Sequence, residues 1–360
     1  MLDKKQPDLT INAAMRSEVI EGVIEKLNAY YVFPEVAKEM EKAIRTRLEG
    51  KEYGSITSAA FLCEALTEHL REISHDKHLR VTYSHEPWPM PEDEARARDF
   101  SPISIARGGL RPSSKERERC NRIARLRNSG FEKVERLGGN IGYLDFRGFM
   151  PPEFAAETAI GAMGFLANTS ALIIDLRHNG GGYPDMVAFM CSYFFDAEPV
   201  HLNDFYHRPS DRTDQSWTLP YIPGKRYVDK ELYLLTSQGT FSGAEEFAYN
   251  LKNLKRATLI GETTGGGGHT TNGYQINEHF EVAVPDGYPI NPITGTNWEG
   301  TGVTPDIEVP ADLALETAHL TALEKLLQTN TDDLLTGELH ESIETAQMKL
   351  EEIKKKRNAD

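Results

Sequence analysis

Apolar positions near the start of the chain fall three and four residues apart: Met15, Val19, Ile20, Val23, Ile24 and Leu27, then Val36, Met40, Ile44 and Leu48, then Phe61, Leu62, Leu66, Leu70 and Ile73. This is the spacing of a helix with one buried face. Residues 12–74 therefore predict a small helical bundle, the body of an N-terminal domain over 1–75. At HLRVTY (78–83) the pattern turns to the alternation of a strand. Residues 76–138 read as this strand followed by a connector or flap, with helical spacing only at 115–128.

From residue 139 the texture changes. IGYLDF (141–146), ALIIDLR (171–177), ELYLLT (231–236) and ATLIG (257–261) are short apolar runs with β-branched residues, the mark of strands buried on both faces. Helical stretches at 152–166, 184–195 and 243–254 separate them. Strand and helix in alternation predict an α/β core around a largely parallel sheet, over 139–312. HFEVAVP (279–285) predicts a further strand, and helices at 313–328 and 337–355 make up a C-terminal segment, 313–360. The last of these, ending KKKRNAD, reads as a solvated or partner-binding helix.

Charge and composition narrow the functional classes. The 360 residues carry 40 Lys and Arg against 55 Asp and Glu, a formal charge of −15. Such a balance argues against nucleic acid or an anionic membrane as the main partner. Cys63, Cys120 and Cys191 are odd in number and widely spaced, so neither a disulfide framework nor a cysteine metal site is expected. No apolar run approaches the ~18 residues of a membrane span. The N-terminal MLDKKQPDLTINAAM lacks the apolar stretch of a secretory signal. A cytoplasmic location is expected for the chain as written, and an exported one if a leader has been removed. Residues 91–128 run against the acidic trend, with ten Lys or Arg against six Asp or Glu. A solvated helix face is the plain reading, and attraction of an acidic substrate or a peptide carboxylate the functional one.

Five segments carry candidate chemistry. Asp175-Leu176-Arg177-His178-Asn179-Gly180-Gly181-Gly182 leads a buried strand into three glycines before a helix, where backbone N–H groups can face an oxyanion or a phosphate. Thr240-Phe241-Ser242-Gly243-Ala244-Glu245 follows a strand and opens a helix. As plain structure it is an S-x-x-E capping box; as chemistry it exposes a serine oxygen at a helix mouth. Gly261 to His269 is a glycine-rich loop without the ending of a phosphate-binding P-loop. His75-Asp76-Lys77-His78 has two histidines three apart but no motif of a metal site. Gly295 to Asp306 is a shaped loop carrying Glu299.

Taken in order, D-L-R-x-N-x-G-G, S-G-A-E, G-E-x-T-x-G-G and E-G-x-G-V-x-P-D resemble the S41 serine peptidases of the tail-specific protease kind, in particular the bacterial branch related to interphotoreceptor retinoid-binding protein. The resemblance spans roughly 12–320. It implies an α/β (α+β) fold, with a ClpP/crotonase-like catalytic core and an N-terminal helical domain. No PDZ pattern is found in 85–138. It further implies that Ser242 is the nucleophile, that Gly243 gives one oxyanion amide and Gly181 or Gly182 the other, and that Glu245 is structural. Tail-specific proteases place a lysine 25 residues past the serine, where this chain has Gly267. The branch with tricorn protease and a chlamydial secreted protease instead takes its base from a D-x-H element, matched here by Asp76-Lys77-His78, and orients it with a glutamate, matched by Glu299. Tricorn-like members have a serine before that histidine; this chain has Lys77.

The function the resemblance implies is hydrolysis of peptide bonds by Ser242, His78 and Glu299, with His269 as an alternative base and no metal or cofactor expected. The expected partner is a peptide or protein substrate, with a homo-oligomer as one form of the enzyme. Two other readings stay open: a silent retinoid- or fatty-acid-binding protein on the same fold, and a hydrolase of esters or natural products. A histidine base starting near its ordinary pKa of about 6.5 predicts an activity limb near neutrality.

Overall fold

The computed structural model describes residues 6–88 and 114–358. Its helices are α1 (Ala13–Tyr30), α2 (Pro34–Glu49), α3 (Ala59–Ser74), α4 (Ser114–Leu126), α5 (Pro152–Leu166), α6 (Pro184–Cys191), α7 (Gly243–Asn253), α8 (Ala314–Thr329) and α9 (Asp333–Arg357). Its strands are β1 (Arg80–Tyr83), β2 (Phe131–Leu137), β3 (Ile141–Phe146), β4 (Ala171–Asp175), β5 (His201–His207), β6 (Arg212–Trp217), β7 (Glu231–Thr236), β8 (Thr258–Gly261), β9 (Thr270–Gln275), β10 (Phe280–Ile290) and β11 (Ile307–Glu308). The chain divides into two compact units, the first made of 1–112, 204–214 and 269–290, the second of 113–203, 215–268 and 291–360.

In the first unit the three predicted helices form. Asn12 accepts the Met15 N–H to cap α1, Ser58 accepts the Phe61 N–H to cap α3, and Pro34 opens α2 where its missing N–H costs nothing. Their buried positions, among them Val23, Leu27, Met40, Leu66 and Leu70, share one core with Val81, Tyr274, Phe280, Val282 and Val284. These last residues are strand residues, so the expected helical domain is a helical layer on an antiparallel sheet. β10 is its spine, pairing with β1, β5 and β9, and β6 lies outside β5. The division at residues 75 and 139 is thus drawn differently in the structure: the chain returns twice to complete the first unit. The strands that do this, HLNDFYH and TTNGYQ, carry too many polar residues to announce themselves by hydrophobicity.

The second unit holds the expected α/β core. Its six-stranded sheet runs β11-β8-β7-β4-β3-β2, parallel except for the antiparallel edge strand β2. Register aligns Leu144, Ile174, Leu234 and Leu259 across four strands. These face a core with Met163, Met190 and Phe247, while alternate residues such as Ile173, Tyr233 and Ile260 face a second core. Both faces are therefore covered, which is why the strands read as continuous apolar runs. The second core includes Leu323 of α8 and Leu339 and Ala346 of α9. This corrects the expectation of a merely solvated last helix: it starts at Asp333, capped by Asp332, and buries a stripe of small and apolar residues. Helix α6 stops at Cys191 and a 3₁₀ turn, Ser192–Phe194, finishes the predicted 184–195 stretch. Among the described residues no helix is long and apolar enough to cross a membrane. Most of the basic stretch 91–128, and residues 89–113 of the 85–138 segment judged free of a PDZ pattern, lie outside the described residues.

Candidate active site

Strand β7 delivers the chain to Ser242, which has φ 54° and ψ −123°, a backbone conformation that a residue with a side chain rarely adopts. The surroundings hold it there. Thr240 Oγ1 donates to the Leu176 carbonyl at 2.8 Å, and the Phe241 N–H donates to the Asn179 carbonyl at 3.0 Å. Beyond the serine, the Glu246 N–H returns to the Ser242 carbonyl at 2.9 Å and α7 begins. The outcome is a sharp strand-to-helix elbow with the serine at its apex, half-buried.

The first glycine motif lies against this elbow. A Cβ on Gly181 would sit 2.6 Å from the Gly243 nitrogen, and one on Gly182 would sit 2.1 Å from the Phe149 carbonyl oxygen at φ 143°, so both positions need glycine. Sequence left open which of the two offers an oxyanion amide. The Gly181 N–H is already given to Asn179 Oδ1 at 2.8 Å, and fully buried Asn179 is itself anchored by donating to the Phe146 carbonyl. Among the described residues the Gly182 and Gly243 N–H groups donate to no protein acceptor, and a Cβ on Gly243 would lie 3.0 Å from the Gly182 nitrogen. The pair able to face one oxyanion is therefore Gly182 and Gly243. Asp175 and Arg177 of the same motif brace the end of β4 instead. Arg177 grips Asp175 with two hydrogen bonds, 2.9 and 2.6 Å, and donates to the Ala311 carbonyl. Burial opposes the charge on Asp175, but the guanidinium outweighs it and holds the carboxyl below its ordinary range.

Glu245 is held by four donors. Its carboxylate accepts from the Ser242 N–H at 2.9 Å, Thr264 Oγ1 at 2.5 Å, and the Gly266 and Gly267 N–H groups at 2.6 and 2.8 Å. It ties the elbow to the glycine-rich loop. Burial raises its pKa, and the four hydrogen bonds counter that rise. Gly267, standing where tail-specific proteases have lysine, thus contributes an amide. Glu299 accepts the Gly268 N–H at 2.5 Å, and Trp298 Nε1 donates to the Gly267 carbonyl at 2.8 Å, so the 295–306 loop braces the same glycines.

The histidines belong to the first unit. α3 ends at His75 in the left-handed conformation, φ 55°, and the chain turns through Asp76 and Lys77 to His78 just before β1. Burial lowers the His78 pKa to about 4, against the pull of Asp76, leaving the imidazole neutral at pH 7. His269 opens β9, and its Nδ1 lies 2.5 Å from Asp76 Oδ2. Sequence singled out Asp76 but missed this partner, since 193 residues separate the two and no local spacing reports it. Buried Glu246, beside Glu245 and one turn after the serine, was also missed; a second acid in an apolar helix start was its one signal.

Comparison with known proteins fits this arrangement. The sequence profile of peptidase family S41 matches residues 140–309, and the profile described as the N-terminal domain of Peptidase_S41 in eukaryotic IRBP matches 2–112. Both profiles are of peptidase family S41, and together they cover most of the chain. A carboxyl-terminal-processing protease of Synechocystis sp. is 26% identical over 211 residues, 56% of this chain and 45% of that protein. The chain thus spans less than half the length of this curated relative. Among solved structures, mature CPAF shares the fold with a TM-score of 0.55 at 13% identity, over 89% of this chain and 99% of its own. The photosystem II D1 C-terminal processing protease does so at 0.51 and 16%, over 91% and 100%.

Proposed function

We propose that the protein is a serine peptidase. Ser242 attacks the scissile carbonyl, His78 takes its proton and later gives it to the leaving amine, Glu299 orients the imidazole, and the Gly182 and Gly243 amides hold the oxyanion. The observation that carries the reading is the Ser242 elbow. A serine is held at positive φ beside two backbone amides that donate to no acceptor among the described residues. Strain of this kind, about 1–3 kcal/mol, persists only where the surrounding structure over-determines it, and it clusters at active sites. The lowered pKa of His78 supports its part, because a base must be neutral to accept a proton. All the chemistry assigned here is supplied by protein groups. Since the relatives are named as carboxyl-terminal processing proteases, the substrate class to test first is a peptide carrying a free C-terminal segment.

A fluorophosphonate probe on the intact protein should label Ser242 and no other serine, as read by mass spectrometry of its peptides. Ser242→Ala should lower kcat on peptides by about 10⁴–10⁶-fold while the protein still folds. Labelling elsewhere, or equal turnover by wild type and variant, would sink the reading. Tight binding of retinol or oleate by a wild type inert on peptides and esters would replace it with the binding-protein alternative.

A further inference from the structure

Within the first unit Asp76 is a junction of three donors. The His78 backbone N–H reaches its Oδ1 at 3.0 Å, while the Tyr31 hydroxyl and His269 Nδ1 reach its Oδ2 at 3.4 and 2.5 Å. The residue is 1% exposed. Its own N–H donates to Ser74 Oγ at 3.2 Å, so the turn after α3 is tied at its start as well. A carboxylate only accepts, so His269 presents Nδ1 as an N–H. The His269 ring is 8% exposed and packs edge-on against Phe33, with centroids 5.5 Å apart at 64°. Every one of these contacts suits a strut.

We propose that His269 is a positioning residue for the peptidase site: it donates Nδ1–H to Asp76, and Asp76 in turn fixes the backbone turn that carries His78. This rests on the reading of His78 as the base, and it removes His269 as a competitor for that role. The physical basis is an Asx turn, in which a carboxylate bonds the amide two residues on. Residues 75–79 lie between the end of α3 and the start of β1 with no ladder of their own; Arg71 holds the carbonyls of Lys77 and Leu79 at 2.6 and 2.8 Å, and the Asp76 bond holds the His78 amide itself. One Asp76 oxygen holds the amide; the charge-assisted bond from His269 stops the carboxyl group from rotating away.

The test exploits the fact that asparagine can place an amide N–H near where histidine places Nδ1–H, yet cannot accept a proton. His269→Asn should keep kcat within about threefold of wild type, whereas His269→Ala should lower it about 10²-fold with little change in KM, the cost of a base misplaced by about an ångström. His78→Asn should show no such rescue. A second arm needs no turnover: in Ser242→Ala protein, hydrogen exchange of peptides covering 75–79 should quicken about tenfold with His269→Ala and stay slow with His269→Asn, the β4 amides serving as an internal reference for folding. If His269→Asn is as inactive as His269→Ala while 75–79 stays protected, His269 handles a proton and the proposal falls. Unchanged exchange in His269→Ala also overturns it. A wild type without turnover or Ser242 labelling defeats the peptidase reading alone, and the exchange arm still decides whether His269 is the strut.

Discussion

Glu246 is a buried acid with weak company. It is 2% exposed, Asn203 donates to its carboxyl group at 3.3 Å, and the charge field it feels most is that of Asp185, which is of like sign. Burial first, then Asp185, raises its pKa to about 8. The folded chain therefore keeps a proton that the unfolded chain releases near 4.5. Its contribution to stability is complete below about pH 4.5, declines as the unfolded chain ionises, and is gone above about pH 8. Glu246→Gln keeps the shape and removes the titration. Urea midpoints of the wild type should fall relative to the variant between pH 5 and 8.5; parallel curves would mean that the carboxyl is ionised in the fold. His78 works the other way. Its folded pKa of about 4 lies below the unfolded 6.5, so stability is present above pH 6.5 and is lost as pH falls toward 4. The acid limb of activity should likewise lie near pH 4–5 and not near neutrality, the position expected for an unperturbed imidazole. A kcat/KM profile on a peptide substrate checks this, and a limb at 6.5 would show His78 to be solvated in the free enzyme.

At the scale of elements, how readable a segment was followed from how many of its faces are buried. β3, β4 and β7 lie between two cores and read as apolar runs; the amphipathic α1 to α3 read by their period. β2, FEKVERL, and β6, RTDQSW, each have a single buried residue and are rich in polar ones, so their pairing is dictated by neighbours and leaves little trace in the sequence. The Ser242 elbow is a different case. Its residues matched a helix cap, and that match is real: the capping box forms, with Glu245 accepting the Ser242 N–H. Sequence could not tell that the serine backbone would be forced to φ 54°, because this conformation is imposed by Leu176, Asn179 and the Glu245 network. Strain at a functional residue makes a stability prediction. Ser242→Gly should be about 1–2 kcal/mol more stable than Ser242→Ala, because only glycine adopts that backbone without cost. Both variants lack the hydroxyl, so activity does not confound the comparison. Equal denaturant midpoints would mean that the turn relaxes once the hydroxyl is gone.

At the scale of the whole molecule, the first unit shows why linear boundaries misled. Reading along the chain suggests that α1, α2 and α3 could bury their faces against one another, as a bundle would. Their core instead includes Tyr274, Phe280, Val282 and Val284, contributed from two hundred residues or more away, and Tyr30 stacks on Tyr274 with centroids 4.0 Å apart. β1, the one strand of this sheet close to the helices in sequence, pairs with β10 from Arg80↔Ala283 to Tyr83↔Phe280. Val32 donates its N–H to the Pro285 carbonyl, and Arg208 donates to the carbonyls of Tyr31 and Asn28. Helix periodicity reports that a face is buried, never what buries it. A fragment of residues 1–112 should accordingly lack a cooperative thermal transition, since Val81 and the helix faces would meet water and β1 would lose its hydrogen-bond partners. Circular dichroism melts and the dispersion of amide proton shifts in that fragment decide the matter. A sharp two-state melt with native-like dispersion would mean that the helices suffice as a domain and that the returning strands only dock on a finished core.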